Sequence, residues 1–215
     1  QPAAVTAANL MASARLFEAV ILGRKPKRIC FLTSMARYGD QDPPFPETLM
    51  PRPIDVYGHN KVAIEGTLRA LAEVHDFEWV ILSPHNVIGG AATDGSGAGG
   101  QCLRDRFRNV AGISMNRLLR TEPLIIFGDG KQQRAFSAIE DSLPCFIRAI
   151  DGAADRMVVN VGGAQPIEVG QMIAAIKEDF GVDESYPVRY LPDRPLESKR
   201  AFCTVQRSQQ LLGYT

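Results

Sequence analysis

Two short apolar runs, Ile29-Cys30-Phe31-Leu32 and Trp79-Val80-Ile81-Leu82, bracket a stretch with helical spacing, and nothing else in the chain constrains its fold as tightly. Consecutive apolar residues over so short a span suit a strand buried on both faces. Between the runs, residues 57–74 carry Val62, Leu68 and Leu71 among their apolar positions. Strand, helix and strand in that order read as a parallel α/β unit. A third run, Met157 to Val161, ends in Gly162-Gly163, and a helix is predicted from about Glu168 to Phe180. Ahead of the first strand, Leu10, Ala14, Phe17 and Ile21 recur at helical spacing. Residues 8–23 therefore read as an amphipathic helix, closed by Gly23 and Pro26.

The first strand runs into Thr33-Ser34. That places the Ser34 hydroxyl at the carboxyl end of a parallel strand, where open α/β sheets hold their ligands. A stiff, proline-rich loop follows, with Asp42-Pro43-Pro44 and Pro51-Arg52-Pro53, and then comes Tyr57-Gly58-His59-Asn60-Lys61. Residues four apart share a helix face, so the phenol and the ammonium reach a common ligand. Free tyrosine, with a pKa of about 10, is a poor base near neutrality. A neighbouring positive charge favours the tyrosinate and makes proton abstraction feasible. Alone, a Tyr-x-x-x-Lys pair occurs in many helices, so its weight comes from its neighbours.

Composition narrows the function classes. At 215 residues the chain can bury a sizeable core in one or two domains. Lys+Arg and Asp+Glu balance at 24 each, so the basic field that nucleic acid or an anionic membrane would require is absent. Cys30, Cys102, Cys145 and Cys203 are scattered, which argues against a disulfide framework or zinc site and points to a reducing, cytoplasmic setting. His59, His75 and His85 have no metal-ligand spacing, so no metal site is expected. Residues 5–22 are apolar but interrupted by Arg15 and Glu18, and no membrane span is predicted. Gly89 to Gly100, rich in glycine and alanine, reads as a loop.

Further segments fall into a recognisable order. They are Ser83-Pro84-His85-Asn86-Val87-Ile88-Gly89-Gly90, Arg106-Phe107-Arg108-Asn109-Val110, Glu122 to Gly130 with Phe127, Gln133-Arg134-Ala135-Phe136-Ser137, and Leu191-Pro192-Asp193-Arg194-Pro195. Together with Thr33-Ser34 and the Tyr57/Lys61 pair, they resemble the extended short-chain dehydrogenase/reductases. Within that superfamily they are similar to the NAD-dependent epimerase/dehydratase family, and to its nucleotide-sugar 4-epimerases of the UDP-glucose type. The resemblance implies an α/β fold, a partial Rossmann-like parallel sheet with a smaller α/β substrate-binding part. Residues 1–84 would be the C-terminal half of the cofactor domain. Residues 85–215 would bind substrate, with 155–163 returning to the main sheet.

It also implies roles. Tyr57 would take the proton from the sugar 4-hydroxyl while hydride passes to NAD, Lys61 would hold the cofactor ribose, and Ser34 would share the hydroxyl hydrogen bond. Asn9 and Pro84 would lie near the cofactor. Asn86, Asn109, Val110 and Phe127 would contact the nucleotide sugar, a UDP-hexose, and Arg134 and Arg194 would clamp its phosphates. Ala201, seven residues after Arg194, would leave room for an N-acetyl group at the sugar's C2. The helices at 8–23 and 57–74 would form a homodimer interface.

The sequence departs from the family pattern at Ser83, Ile88 and Gly90, and Leu196 stands where the family has glycine. Met35 occupies a position where related dehydratases and decarboxylases carry an acidic residue, which favours epimerisation over elimination. No Gly-x-x-Gly-x-x-Gly follows a strand near the first residues, where the superfamily cradles the dinucleotide. The chain is therefore expected to be a truncated portion of such a fold, with the edge of its first strand open to pairing. The competing reading is a catalytically inactive remnant that binds a nucleotide sugar or a protein.

Overall fold

The computed structural model describes residues 2–89 and 110–215. Helix α1 (Pro2–Thr6) passes through a π-helical turn at Ala7–Met11 into α2 (Ala12–Arg24). The helix runs one residue past Gly23 and ends where Lys25 takes the left-handed conformation, φ 46°. Strand β1 (Arg28–Leu32) leads through a 3-10 turn at Met35–Arg37 to α3 (Val56–His75) and β2 (Glu78–Pro84). Asp55 starts α3, accepting the Gly58 N–H at 2.6 Å, as an N-cap carboxylate does. Beyond these lie β3 (Val87–Ile88), α4 (Val110–Leu119), β4 (Leu124–Phe127), β5 (Gln133–Ala135), β6 (Ser137–Ala138) and α5 (Ile139–Ile150). The chain closes with β7 (Met157–Val161), β8 (Pro166–Glu168), α6 (Val169–Asp179), β9 (Val188–Leu191), β10 (Arg200–Ala201) and α7 (Gln206–Leu212).

The central sheet is parallel, in the order β1-β2-β7. Cys30 pairs with Val80, and Val80 with Met157. Because strand side chains alternate between faces, β2 feeds two cores. Trp79 and Ile81 join Phe17, Ile21, Ile64 and Leu68 of α2 and α3 on one side. Val80 and Leu82 join Cys145, Ala149 and Leu212 of α5 and α7 on the other. The result is a helix–sheet–helix sandwich of the Rossmann-like type. Burying Ile64, Leu68, Ile81 and Leu82 each contributes about 1.5–3 kcal/mol, which makes this sandwich the stable frame for what projects from it.

Among the described residues β1 and β7 are the two edges of this sheet, and Leu32 at the end of β1 is 45% exposed. The helix at Pro2–Arg24 is, by length and composition alone, long and apolar enough to cross a membrane, despite Arg15 and Glu18. Its Phe17 and Ile21 nevertheless sit in the sheet core, while Met11, Leu16 and Leu22 point outward.

A second, smaller α/β part packs α4 and α6 against β4 and β9 around Ala111, Leu118, Leu124, Ile126, Ile173 and Ile176. Two further short sheets pair β3 with β6 and order β10-β5-β8. A bridge from Phe45 to Cys203 ties the proline-rich loop to the C-terminal segment, around buried Tyr38.

Candidate active site

Strands of a parallel sheet end on the same side, so the segments leaving β1 and β2 meet there. Ser34 takes extended backbone and caps the 3-10 turn, its Oγ accepting the Ala36 N–H at 3.2 Å. Pro84 closes β2, and Asn86 just beyond donates its Nδ2 to the Ala135 carbonyl at 2.8 Å. Across from them stand Arg134 of β5 and the segment leading into β10. Ser34, Pro84, Asn86, Arg134, Arg194 and Ala201 line one cleft of about 420 Å³, together with Met35, Ile54, Asp55, Leu196 and Glu197. An adjoining cavity of about 140 Å³ shares Asn86, Arg134 and Arg194 and adds Val110, Phe127 and Gln132. A third, of about 490 Å³, extends from Val110, Phe127 and Arg194 to Arg117 and Arg120 on and just past α4.

The arginine side of the cleft is a packed charge cluster. The Arg194 guanidinium lies 4.0 Å from the Phe127 ring centroid, within cation–π range. Glu197 stands between the two arginines, 3.4 Å from Arg134 and 3.9 Å from Arg194. Arg134 also donates to the Ser198 carbonyl at 2.6 Å. Burial pulls the Arg134 guanidinium below its ordinary range, with Glu197 opposing and Arg194 adding to the fall. A site that draws two cations together around one carboxylate suits a ligand bearing negative charge.

Tyr57 and Lys61 sit in the first turns of α3 and are not among the residues lining that cleft. Asp55, two residues before Tyr57, does line it. The Lys61 Nζ donates to the Leu32 carbonyl at 3.0 Å, two residues before Ser34. It lies 5.6 Å from the Tyr57 ring centroid and 5.0 Å from that of Phe31. Burial lowers the ammonium's pKa from its usual value, with Glu65 opposing. Asn9 falls in the π-helical turn, where its Nδ2 donates to the Val5 carbonyl at 2.9 Å. Asn109 and Gly90 lie outside the described residues.

Sequence reasoning passed over Ile54 and Asp55 as cleft residues. The signal for Asp55 was there: an aspartate directly ahead of a helical stretch is an N-cap, and the helix it starts carries Tyr57. It also passed over a buried pair, Arg37 and Glu65, behind Ser34.

Residues 1–162 match the NAD dependent epimerase/dehydratase family. The chain belongs to that family. The UDP-glucose 4-epimerase of Mycolicibacterium smegmatis is 26% identical over 208 residues, covering 96% of this chain and 62% of the relative. That of Azospirillum brasilense is 25% identical over 197 residues, covering 87% of this chain and 55% of the relative. The crystal structure of UDP-glucose 4-epimerase with UDP-glucose from Thermotoga maritima matches with a TM-score of 0.87 at 28% identity, covering 100% of this chain and 66% of that one. The chain thus spans about half to two thirds of the length of such relatives.

The family's cofactor can be tested against the residues present. Lys61 has three ammonium protons and gives one to Leu32, which leaves donors for ribose hydroxyls beside Tyr57. Pro84 offers an apolar wall at the same sheet end. Among the described residues, no strand runs through a glycine-rich turn into a helix to hold a diphosphate. The fit is to the nicotinamide–ribose end.

Proposed function

We propose that this chain is the catalytic and substrate-binding part of an NAD-dependent nucleotide-sugar 4-epimerase acting on a UDP-hexose. The observation that carries this reading is the cleft that the strand-end residue Ser34 lines together with Arg134 and Arg194. Tyr57 takes the proton from the sugar 4-hydroxyl, with Lys61 beside it on the same helix face and Ser34 sharing the hydrogen bond. NAD, when bound, supplies a reversible two-electron acceptor for the sugar carbon, held by Asn9, Tyr57, Lys61 and Pro84. Arg134 and Arg194 hold the diphosphate and displace Glu197 from between them as they do so. Phe127, Val110 and Asn109 take the nucleoside side, and Asn86 the sugar.

Met35 supports epimerisation, since elimination or decarboxylation needs a second acid where this sulfur side chain stands. Ala201, on the cleft, leaves room for an N-acetyl group at the sugar's C2, so UDP-GlcNAc fits the site as well as UDP-glucose. We place the boundary between cofactor and substrate parts at Pro84/His85, with residues 155–163 belonging to the former. The outward apolar residues Met11, Leu16 and Leu22 support a homodimer through α2 and α3.

Calorimetric titration with NAD and with UDP-GlcNAc tests the assignment. Saturable binding of both, with turnover to the 4-epimer, is expected. Binding of the nucleotide sugar without NAD binding or turnover would make the chain a binding module instead.

A further inference from the structure

Behind the cleft lies a buried ion pair that the reaction itself does not call on. Glu65 of α3 is 2% exposed, and Arg37, at the end of the 3-10 turn, is equally enclosed. The pairing is bidentate: Arg37 Nε donates to Oε1 and Nη2 to Oε2, both at 3.0 Å. Thr33 Oγ1 donates to Oε1 at 2.6 Å, and Arg69 lies 3.6 Å from Oε2. Ser34 stands between Thr33 and Arg37, so the segment carrying the serine is tied to one carboxylate on both sides. The turn is also pinned higher on α3. Gly58 admits the Ala36 carbonyl so closely that a Cβ there would lie 2.7 Å from it.

A buried ion pair is a poor device for stability alone, since apolar residues of the same volume serve as well or better. What this pair does is hold geometry and charge at a defined place. Glu65 lies one turn beyond Lys61 and two beyond Tyr57, on the same helix face. Lys61 faces the Tyr57 ring and Glu65 on its own helix, and the Phe31 ring and Leu32 carbonyl on β1. Arg37 and Arg69 stand behind Glu65 and offset its charge.

We propose that the Arg37–Glu65 pair is a positioning element for the candidate catalytic set, clamping the Ser34 turn to the helix that carries Tyr57 and Lys61 and setting the charge beneath Lys61. The inference rests on the reading of those three residues given above. Arg37→Met leaves the carboxylate less compensated, so the Lys61 titration moves up. Glu65→Gln removes the anion, so it moves down. The double variant restores the charge balance but not the clamp.

The test follows the Lys61 titration by NMR in the full chain after reductive ¹³C-methylation, the resonance being assigned by its loss in Lys61→Arg. Shifts of about one pH unit in opposite senses are expected for the single variants, with the double close to the parent. Thr33→Val keeps every charge; it should leave the Lys61 titration in place while lowering kcat for the nucleotide sugar about tenfold at unchanged KM. It also serves if the Arg37 or Glu65 variants fail to fold. Lys61 shifts in the same sense for both single variants, or Thr33→Val with undiminished kcat, would overturn the proposal. Opposite Lys61 shifts in a chain that turns over no nucleotide sugar would instead remove the epimerase reading and leave the pair's hold on Lys61 standing. Turnover with an unmoved Lys61 would do the reverse.

Discussion

Two glycines of the same helix make a controlled comparison. Gly58 and Gly66 both lie in α3, and alanine is favoured over glycine inside a helix by about 0.5–1 kcal/mol. At Gly66 an added Cβ meets nothing within 4 Å, so Gly66→Ala should realise that gain and raise Tm by about 1–4 °C. At Gly58 the same methyl would lie 2.7 Å from the Ala36 carbonyl oxygen, 2.9 Å from Pro53 Cβ and 3.1 Å from the Asp55 carboxylate. The nearest of these is backbone, which cannot rotate aside. The turn must retreat by about half an ångström, and overpacking of this kind costs about 1–3 kcal/mol. Subtracting the helix gain leaves a net loss of up to about 2.5 kcal/mol. The helix gain is common to both, so the two variants should differ by the overpacking cost itself, about 1–3 kcal/mol in urea unfolding, with Gly58→Ala the weaker. Because the retreat carries Ser34 away from Tyr57, its kcat should fall too, whereas that of Gly66→Ala should not. Equal stability of the two alanine variants would refute the claim that the Ser34 turn is pressed against α3.

His85 gives a pH signature. Burial pushes its imidazole down to about 4, from an ordinary 6.5, so the unfolded chain binds a proton that the folded chain refuses. Stability is full above about pH 6.5 and falls as the pH drops towards 4, by up to about 3 kcal/mol; urea midpoints across that range should lose this slope in His85→Gln. Arg134→Lys should weaken UDP binding by about tenfold or more in calorimetry, since an ammonium cannot reproduce the guanidinium fork; affinity within twofold of the parent would exclude Arg134 from the diphosphate site.

The sheet was legible because its strands are short, apolar and separated by helical periods, and Ile29 to Leu32 and Trp79 to Leu82 fall inside β1 and β2. Helix α3 was legible for the same reason, and its start is fixed by Asp55. The N-terminal helix was drawn too short. It begins at Pro2, because a π-helical turn at Ala7–Met11 shifts the phase of the apolar positions without breaking the helix. Helix α5 carries Pro144 inside it, a residue that ordinarily argues against a helix interior. Ser34, Pro84, Asn86, Arg134, Arg194 and Ala201 converge on one cleft although 167 residues separate the first from the last. Motif order named them; only the fold brings them together. What no local pattern could reveal is the burial of Arg37 and Glu65, 28 residues apart. A charged residue reads as solvated until its partner is known. Leu196, by contrast, was marked by its place where the family has glycine: it stands in the left-handed region, φ 58°, where glycine sits without strain, and it lines the cleft.

The most direct measurement is turnover itself. The chain is incubated with NAD and UDP-GlcNAc, the 4-epimer is followed by ¹H NMR, and Tyr57→Phe is run alongside. A phenol that moves the proton is worth about 10²–10⁴ in rate, so product should form with the parent chain and fall by that factor in the variant while UDP-GlcNAc affinity holds. Equal rates from parent and Tyr57→Phe would contradict the account at its centre.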